Sequence, residues 1–206
     1  DYINKQIERA LKRASDFVRS EFAFTNIPIE RVTEFATFSS EFILRFVAIS
    51  ETSWQTKDVT ALTSKLFLLA TQNSSMAADL AVLGLKPNYQ LHTREVLHGL
   101  QDLFGAASTE YQTNFIHRSY RETIVNQLSM TEQREALHRL WGMLCDGIWQ
   151  ISNDKDFRRR LDDLLLDYAL RYGPTHLAKG KEPLLAAQRL LDLEPLPAKG
   201  YLDLVY

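Results

Sequence analysis

Cysteine is almost absent from this chain: Cys145 is the one thiol among 206 residues, so no internal disulfide can form. Its neighbours Leu144 and Ile148 mark it as a small buried hydrophobe rather than a nucleophile. A lone thiol fits a reducing compartment, and an intracellular, cytoplasmic protein is expected. Glycine and proline are sparse, at eight and six residues, which excludes collagen-like and low-complexity chains. No charge of one sign prevails. With 24 Lys and Arg against 26 Asp and Glu the net charge is −2, so no overall field draws in a phosphate backbone and nucleic acid is not an expected partner. Long apolar runs are missing as well. Arg45 interrupts Phe42-Ile43-Leu44-Arg45-Phe46, and Leu66-Phe67-Leu68-Leu69 follows directly on Lys65, far short of the roughly 20 residues of a membrane span. The chain opens at Asp1 without a methionine or a signal-like pattern, as a processed or trimmed chain would.

What the sequence does contain is helical periodicity, and a chain of this length can bury about 70% of its unfolded surface without staples. Ile3, Ile7, Ala10, Leu11, Ala14, Phe17 and Val18 form one stripe of a first helix ending near Phe22. Pro28 opens a second, carrying Val32, Phe35, Phe38, Phe42 and Phe46 to about Ser50. Asp58 caps a third, Asn73-Ser74-Ser75 either caps a short fourth or interrupts a longer one, and Gly84 and Pro87 end it either way. A fifth covers His92 to Phe104, and Tyr111, Phe115, Ile116, Tyr120, Ile124 and Leu128 mark a sixth.

Ser129-Met130-Thr131-Glu132 reads as a capping box opening a seventh helix, whose Leu137, Leu140, Trp141, Leu144, Ile148, Trp149 and Ile151 give it the widest apolar surface in the chain. Asn153 caps an eighth that Gly173-Pro174 stops, and Pro183 starts a ninth. The expected fold is all-α, an irregular array of about eight or nine helices. Residues 1–194 read as a single helical domain and residues 195–206 as an extended C-terminal arm. No fixed-period repeat appears when the segments are laid against one another.

Several constellations could carry chemistry. Glu95 with His98 and Glu135 with His138 are two Glu-x-x-His pairs on helices, the spacing that presents carboxylate and imidazole to a di-metal centre, with Glu41 as a further ligand. The helix between them places Glu110 and Glu122 near its ends, so solvated helix faces are the plainer reading. Asp162-Asp163-Leu164-Leu165-Leu166-Asp167 resembles the aspartate-rich motif of terpene synthases, which implies magnesium and a diphosphate. No second metal-binding motif follows, and the aspartates fall opposite an apolar stripe. Arg158-Arg159-Arg160 and the group His117, Arg118 and Arg121 could meet phosphate or an acidic partner, yet Asp154, Asp156 and Glu122 are near enough in sequence to neutralise them. There is no nucleophile elbow and no glycine-rich phosphate loop.

The residue pattern therefore predicts a non-enzymatic interaction module, an adaptor or scaffold that holds another protein, without a cofactor and with homo-oligomers compatible with its stripes. Aromatic anchors dominate such contacts, so Trp54, Trp141 and Trp149 are candidate contacts, with Tyr201, Leu204 and Tyr206 from the arm. Gly142 and Gly147 inside the seventh helix signal close approach of a helix or a ligand. A bundle that opens space there for a lipid or another apolar ligand is the alternative, and the di-metal carboxylate bundle is the third reading.

Overall fold

The computed structural model describes residues 2–23, 25–50, 52–104, 112–128, 131–152 and 163–192; for residues 131, 149, 151, 152, 163, 164 and 192 the description stops at the backbone. These residues form nine α-helices and one 3-10 turn, and no strand or sheet occurs among them. In chain order the helices are α1 (Tyr2–Glu21), α2 (Ile29–Ile49), α3 (Thr56–Gln72), α4 (Ser74–Val82) and α5 (Thr93–Gly99). A 3-10 turn (Gln101–Leu103) precedes α6 (Arg118–Gln127), α7 (Thr131–Ser152), α8 (Asp163–Lys179) and α9 (Pro183–Asp192). The expected arm lies outside the described residues.

The chain divides into two compact units, Asp1–Gln133 and Arg134–Tyr206. Helical periodicity offers no trace of that boundary, because it falls three residues into α7.

In the first unit, α1 buries Ile7, Ala10, Ala14 and Val18, the three- and four-residue spacing of one helix face. That face is narrow because it is small. Ala36, Ser39 and Ser40 are buried on α2, and Ser15 Oγ donates to Ala36 O at 3.5 Å, so α1 and α2 approach through a seam of short side chains. Beyond the seam, every residue of α2 from Phe46 to Ile49 is buried, as is Phe42-Ile43-Leu44, which leaves Arg45 as the one half-buried polar break in this part of the helix. Helix α5 meets α1 still more closely. A Cβ on Gly99 would stand 2.3 Å from the Cα of Ala14, and Arg13 Nε donates to Gly99 O at 2.9 Å.

Several boundaries differ from expectation for local reasons. Asp58 acts from inside α3, where Oδ2 accepts the Gln55 backbone N–H at 3.1 Å, so the helix starts at Thr56. Asn73 does cap a separate α4, accepting from the N–H groups of Ser75 and Met76. Helix α6 begins at Arg118 rather than near Tyr111 because Trp54 holds the preceding segment extended. Trp54 N–H donates to Thr113 Oγ1 at 2.9 Å, and Thr113 N–H returns a bond to Trp54 O at 2.8 Å. The capping box at Ser129-Met130 and the cap at Asn153 lie outside the described residues.

In the second unit α8 does not stop at Gly173-Pro174. Proline removes one helical hydrogen bond. Both residues are nevertheless buried, and the bare Gly173 backbone lets Cys145 Cβ come within 3.0 Å of where a Cβ would sit, so packing carries the helix through. It ends instead at a Schellman motif: Lys181 N–H donates to Ala178 O at 3.1 Å and Glu182 N–H to Leu177 O at 2.8 Å. Lys181 occupies the left-handed position with φ 65°, where glycine is favoured.

Two substitutions test these constraints by thermal or denaturant unfolding. Gly99→Ala drives a methyl into the α1 backbone and should cost at least about 3 kcal/mol; a loss below about 1 kcal/mol would show that α1 and α5 are not held at this distance. Lys181→Gly relieves the left-handed strain and should stabilise the protein by about 0.5–1 kcal/mol despite losing the ion pair between the exposed Lys181 and the half-buried Glu135. A destabilised variant would contradict that assignment.

Candidate functional site

A cleft of about 940 Å³ lies in the first unit, where the end of α1, the first half of α2 and the irregular segment 85–92 converge. Its walls are aromatic. Phe22 follows α1, Phe35 and Phe38 lie one turn apart on α2, and Tyr89 and His92 precede α5. The rings meet edge-on: Phe22 lies 5.7 Å from Phe35 and 5.1 Å from His92, and Phe35 lies 5.1 Å from Tyr89, the separations at which ring edges and faces attract. All five are half-buried, supported from behind and open in front.

Gly84 forms the floor beside Phe38. Its φ of 78° closes α4 in a second Schellman motif, with Leu85 N–H donating to Leu80 O at 2.9 Å, and a Cβ there would reach within 2.9 Å of the Phe38 ring. Arg31, Glu34, Lys86, Asn88 and Gln90 supply a polar rim of both signs, and Ile27 adds an exposed apolar edge.

The second unit holds a buried polar string. His138 Nδ1 and His176 Nδ1 lie 2.9 Å apart, and His176 Nε2 lies 2.8 Å from the Tyr168 hydroxyl. Two facing ring nitrogens at that distance share one proton, so one imidazole donates while the other accepts. The Tyr168 hydroxyl adjusts to whichever tautomer results. Trp141 stacks on His176 at 5.7 Å and 20° and closes the site from water. Burial, with the positive charges of Lys179 and Arg134, pulls His138 down to about 4. Burial, with His138 and Lys179, pulls His176 to about 3. Both rings are neutral at pH 7, and the string is a structural element of the core. Cys145 lies on the same helix as His138. Burial first, then the Asp146 charge, pushes its thiol up, so the nucleophilic thiolate does not form.

The residues singled out from the sequence separate by burial. Trp54 and Trp141 are each 1% exposed, so these rings are core and offer no surface to a partner. Trp54 Nε1 donates to Ser50 Oγ at 3.0 Å, and both its ring and its backbone brace the loop. The side chain of Trp149 and all of Tyr201, Leu204 and Tyr206 lie outside the description. Gly142 is a helix contact: a Cβ would stand 2.7 Å from Leu177 Cδ2, which leaves no room for a lipid on that face. Gly147 is half-buried. The cavity beside Cys145 and Gly173 measures about 10 Å³, water-sized at most.

The two Glu-x-x-His pairs have other partners. Glu135 pairs with Lys181 at 2.8 Å while His138 turns to His176. His98 packs on the Phe17 ring at 4.8 Å, Glu95 is half-buried, and Glu41 pairs with Arg45 at 3.0 Å. Among the described residues no group of three or more His, Cys, Asp or Glu side chains gathers in a way that could hold a metal ion. Of the aspartate-rich motif, Asp162 lies outside the described residues and Asp167 forms an exposed pair with Arg171 at 2.8 Å. Sequence reasoning missed the His138–His176 pair, since 38 residues separate the two rings. The half-buried state of Phe35 and Phe38 was equally hidden inside a stripe that continues into the core.

No family model matches this chain, and neither a curated protein nor a solved structure matches it.

The histidine string makes stability pH-dependent with a defined sign. Both folded-state values lie below the ordinary 6.5, so the native state binds fewer protons than the unfolded chain. The contribution is complete above pH 6.5 and is lost as pH falls through 4 and toward 3. By pH 5 the unfolded chain has protonated both imidazoles and the native state almost none, a difference that should cost about 2 kcal/mol for each. Unfolding midpoints between pH 7.5 and 5 should fall, and His138→Gln should flatten that slope; an unchanged slope in the variant would remove the string as its source.

Proposed function

We propose that this chain is a non-catalytic helical module that holds another protein by seating an extended segment of it, with apolar anchor side chains, in the aromatic cleft of the first unit. The carrying observation is the set of five half-buried rings around a volume of about 940 Å³, at the upper end of the range that ligand sites occupy. Rings fixed by edge-to-face contact lose little entropy on binding, which suits them as anchors' receptors. The rim supports a peptide over a lipid. Asn88 and Gln90 carry amides that match a peptide backbone, and Arg31, Lys86 and Glu34 give both charge signs, whereas an apolar ligand favours an enclosed cavity. No helix among the described residues is long and apolar enough to cross a membrane.

Selection of random peptides on the purified chain tests this directly. Enriched sequences should share two apolar positions, shift the resonances of Phe35, Phe38, Tyr89 and His92, and lose at least about tenfold affinity with Phe38→Ala, as truncated interface anchors do. Gly84→Ala should weaken them as well by displacing the Phe38 ring. Failure to enrich any peptide, or enrichment of peptides indifferent to Phe38→Ala in a variant of unchanged circular dichroism, would defeat the proposal. Binding of a small apolar dye without any peptide would favour the ligand-carrier alternative.

A further inference from the structure

A second, smaller pocket in the first unit has a different chemistry. It measures about 260 Å³ and lies where the end of α2, the loop at Thr52-Ser53, the extended segment Thr113-Asn114-Phe115 and the first turn of α6 meet. Arg118 and Arg121 line it from α6, three residues apart and therefore on one helix face, and no acidic side chain is among its described lining residues.

The contacts that the two arginines make within the fold leave most of their charge unused. Cations in a first turn oppose the positive end of the helix dipole, and the first turn of α6 carries no acidic residue to offset them. Arg118 pairs with Glu122 at 2.7 Å, but its side chain is 86% exposed, and a solvated pair of this kind contributes little. Arg121 is half-buried, and no carboxylate among the described residues pairs with it. Its Nε donates to Ala48 O at 2.8 Å, in the last turn of α2. That bond fixes the guanidinium plane and leaves its two terminal amino groups for another acceptor.

The rest of the wall suits an oxyanion. Trp54 engages Ser50 and Thr113 and so makes the back rigid, while Thr52, Ser53 and Asn114 bring neutral donors that add hydrogen bonds without added charge. Two guanidinium groups with hydroxyl and amide donors on a preformed surface are the recognition chemistry of a phosphoryl group. We infer that this pocket binds a phosphoryl group, as free phosphate or as a small phosphomonoester. The site is independent of the aromatic cleft and of the reading placed on it.

Titration of the full chain with inorganic phosphate and with phosphoserine at pH 8, followed by calorimetry and by the resonances of Arg118, Arg121 and Asn114, tests the inference and separates the two sources. Equal affinities assign the free anion, and at least fivefold tighter phosphoserine assigns a monoester. Arg121→Gln should weaken either ligand tenfold or more. Because Arg121 also braces α2, Asn114→Asp is the second variant: it places a carboxylate at an exposed pocket residue, and it should abolish binding while the unfolding midpoint holds or rises. Absence of binding by both probes at 10 mM or so, or an affinity that Asn114→Asp leaves unchanged, would overturn it.

Discussion

The approach of Gly99 to the α1 backbone sets the geometry on which the first unit depends. A hydrogen atom in place of a side chain brings α5 against Ala14 closer than any other residue allows, and Arg13 reaches across to donate to the Gly99 carbonyl and to pair with Asp102. Close-packed interiors transmit such a constraint rather than absorb it. With α5 fixed on α1, the segment leading into α5 returns Tyr89 and His92 to the end of α1, where Phe22 lies, and the small-residue seam between α1 and α2 brings Phe35 into the same place. Two contacts built from glycine, alanine and serine thus determine where five large rings gather.

Burial then separates aromatic residues that look alike in sequence. Phe42 and Phe46 stack at 5.5 Å within the buried half of α2, whereas Phe35 and Phe38, on the earlier turns of that helix, reach the cleft. The difference lies in what the opposite element supplies. Phe67 from α3 completes the enclosure of Phe42 at 5.9 Å, while the irregular segment 85–92 gives Phe35 a neighbour on one side. An aromatic half-enclosed in this way holds its orientation and still presents a face, the state in which an anchor pocket is built without an ordering cost at binding.

Local sequence signals identified most helices because each amphipathic stripe depends on residues three and four apart, and those neighbours are in the sequence itself. Asn73 and Pro183 mark their helix starts for the same reason. Where a distant residue decides the outcome, the signal fails: Trp54 captures Thr113 from 59 positions away and delays α6, and Cys145 packs on Gly173 and carries α8 past Pro174. The candidate site was legible in composition but not in place. The phenylalanine stripe of α2 was evident, yet which of its rings face outward depends on the connection between α4 and α5. The glutamate-histidine spacing correctly put Glu135 and His138 on one helix, but Lys181 and His176, both from elsewhere in the chain, took them as separate partners.

Charge tells the same story at higher resolution. Arg118 and Arg121 are adjacent in sequence to a single acid, and the four-residue rule assigns that acid to Arg118. Arg121 is left to a backbone carbonyl, a partner that sets direction without neutralising charge. In the second unit the reverse holds: Arg189 forms its ion pair with the buried Asp146, which also accepts from Gln150 Nε2 at 2.7 Å, so a desolvated carboxylate is fully compensated. Among the described residues, the half-buried Arg121 guanidinium is held in position by a carbonyl and meets no carboxylate, and desolvation favours an anion as the complement of such a group.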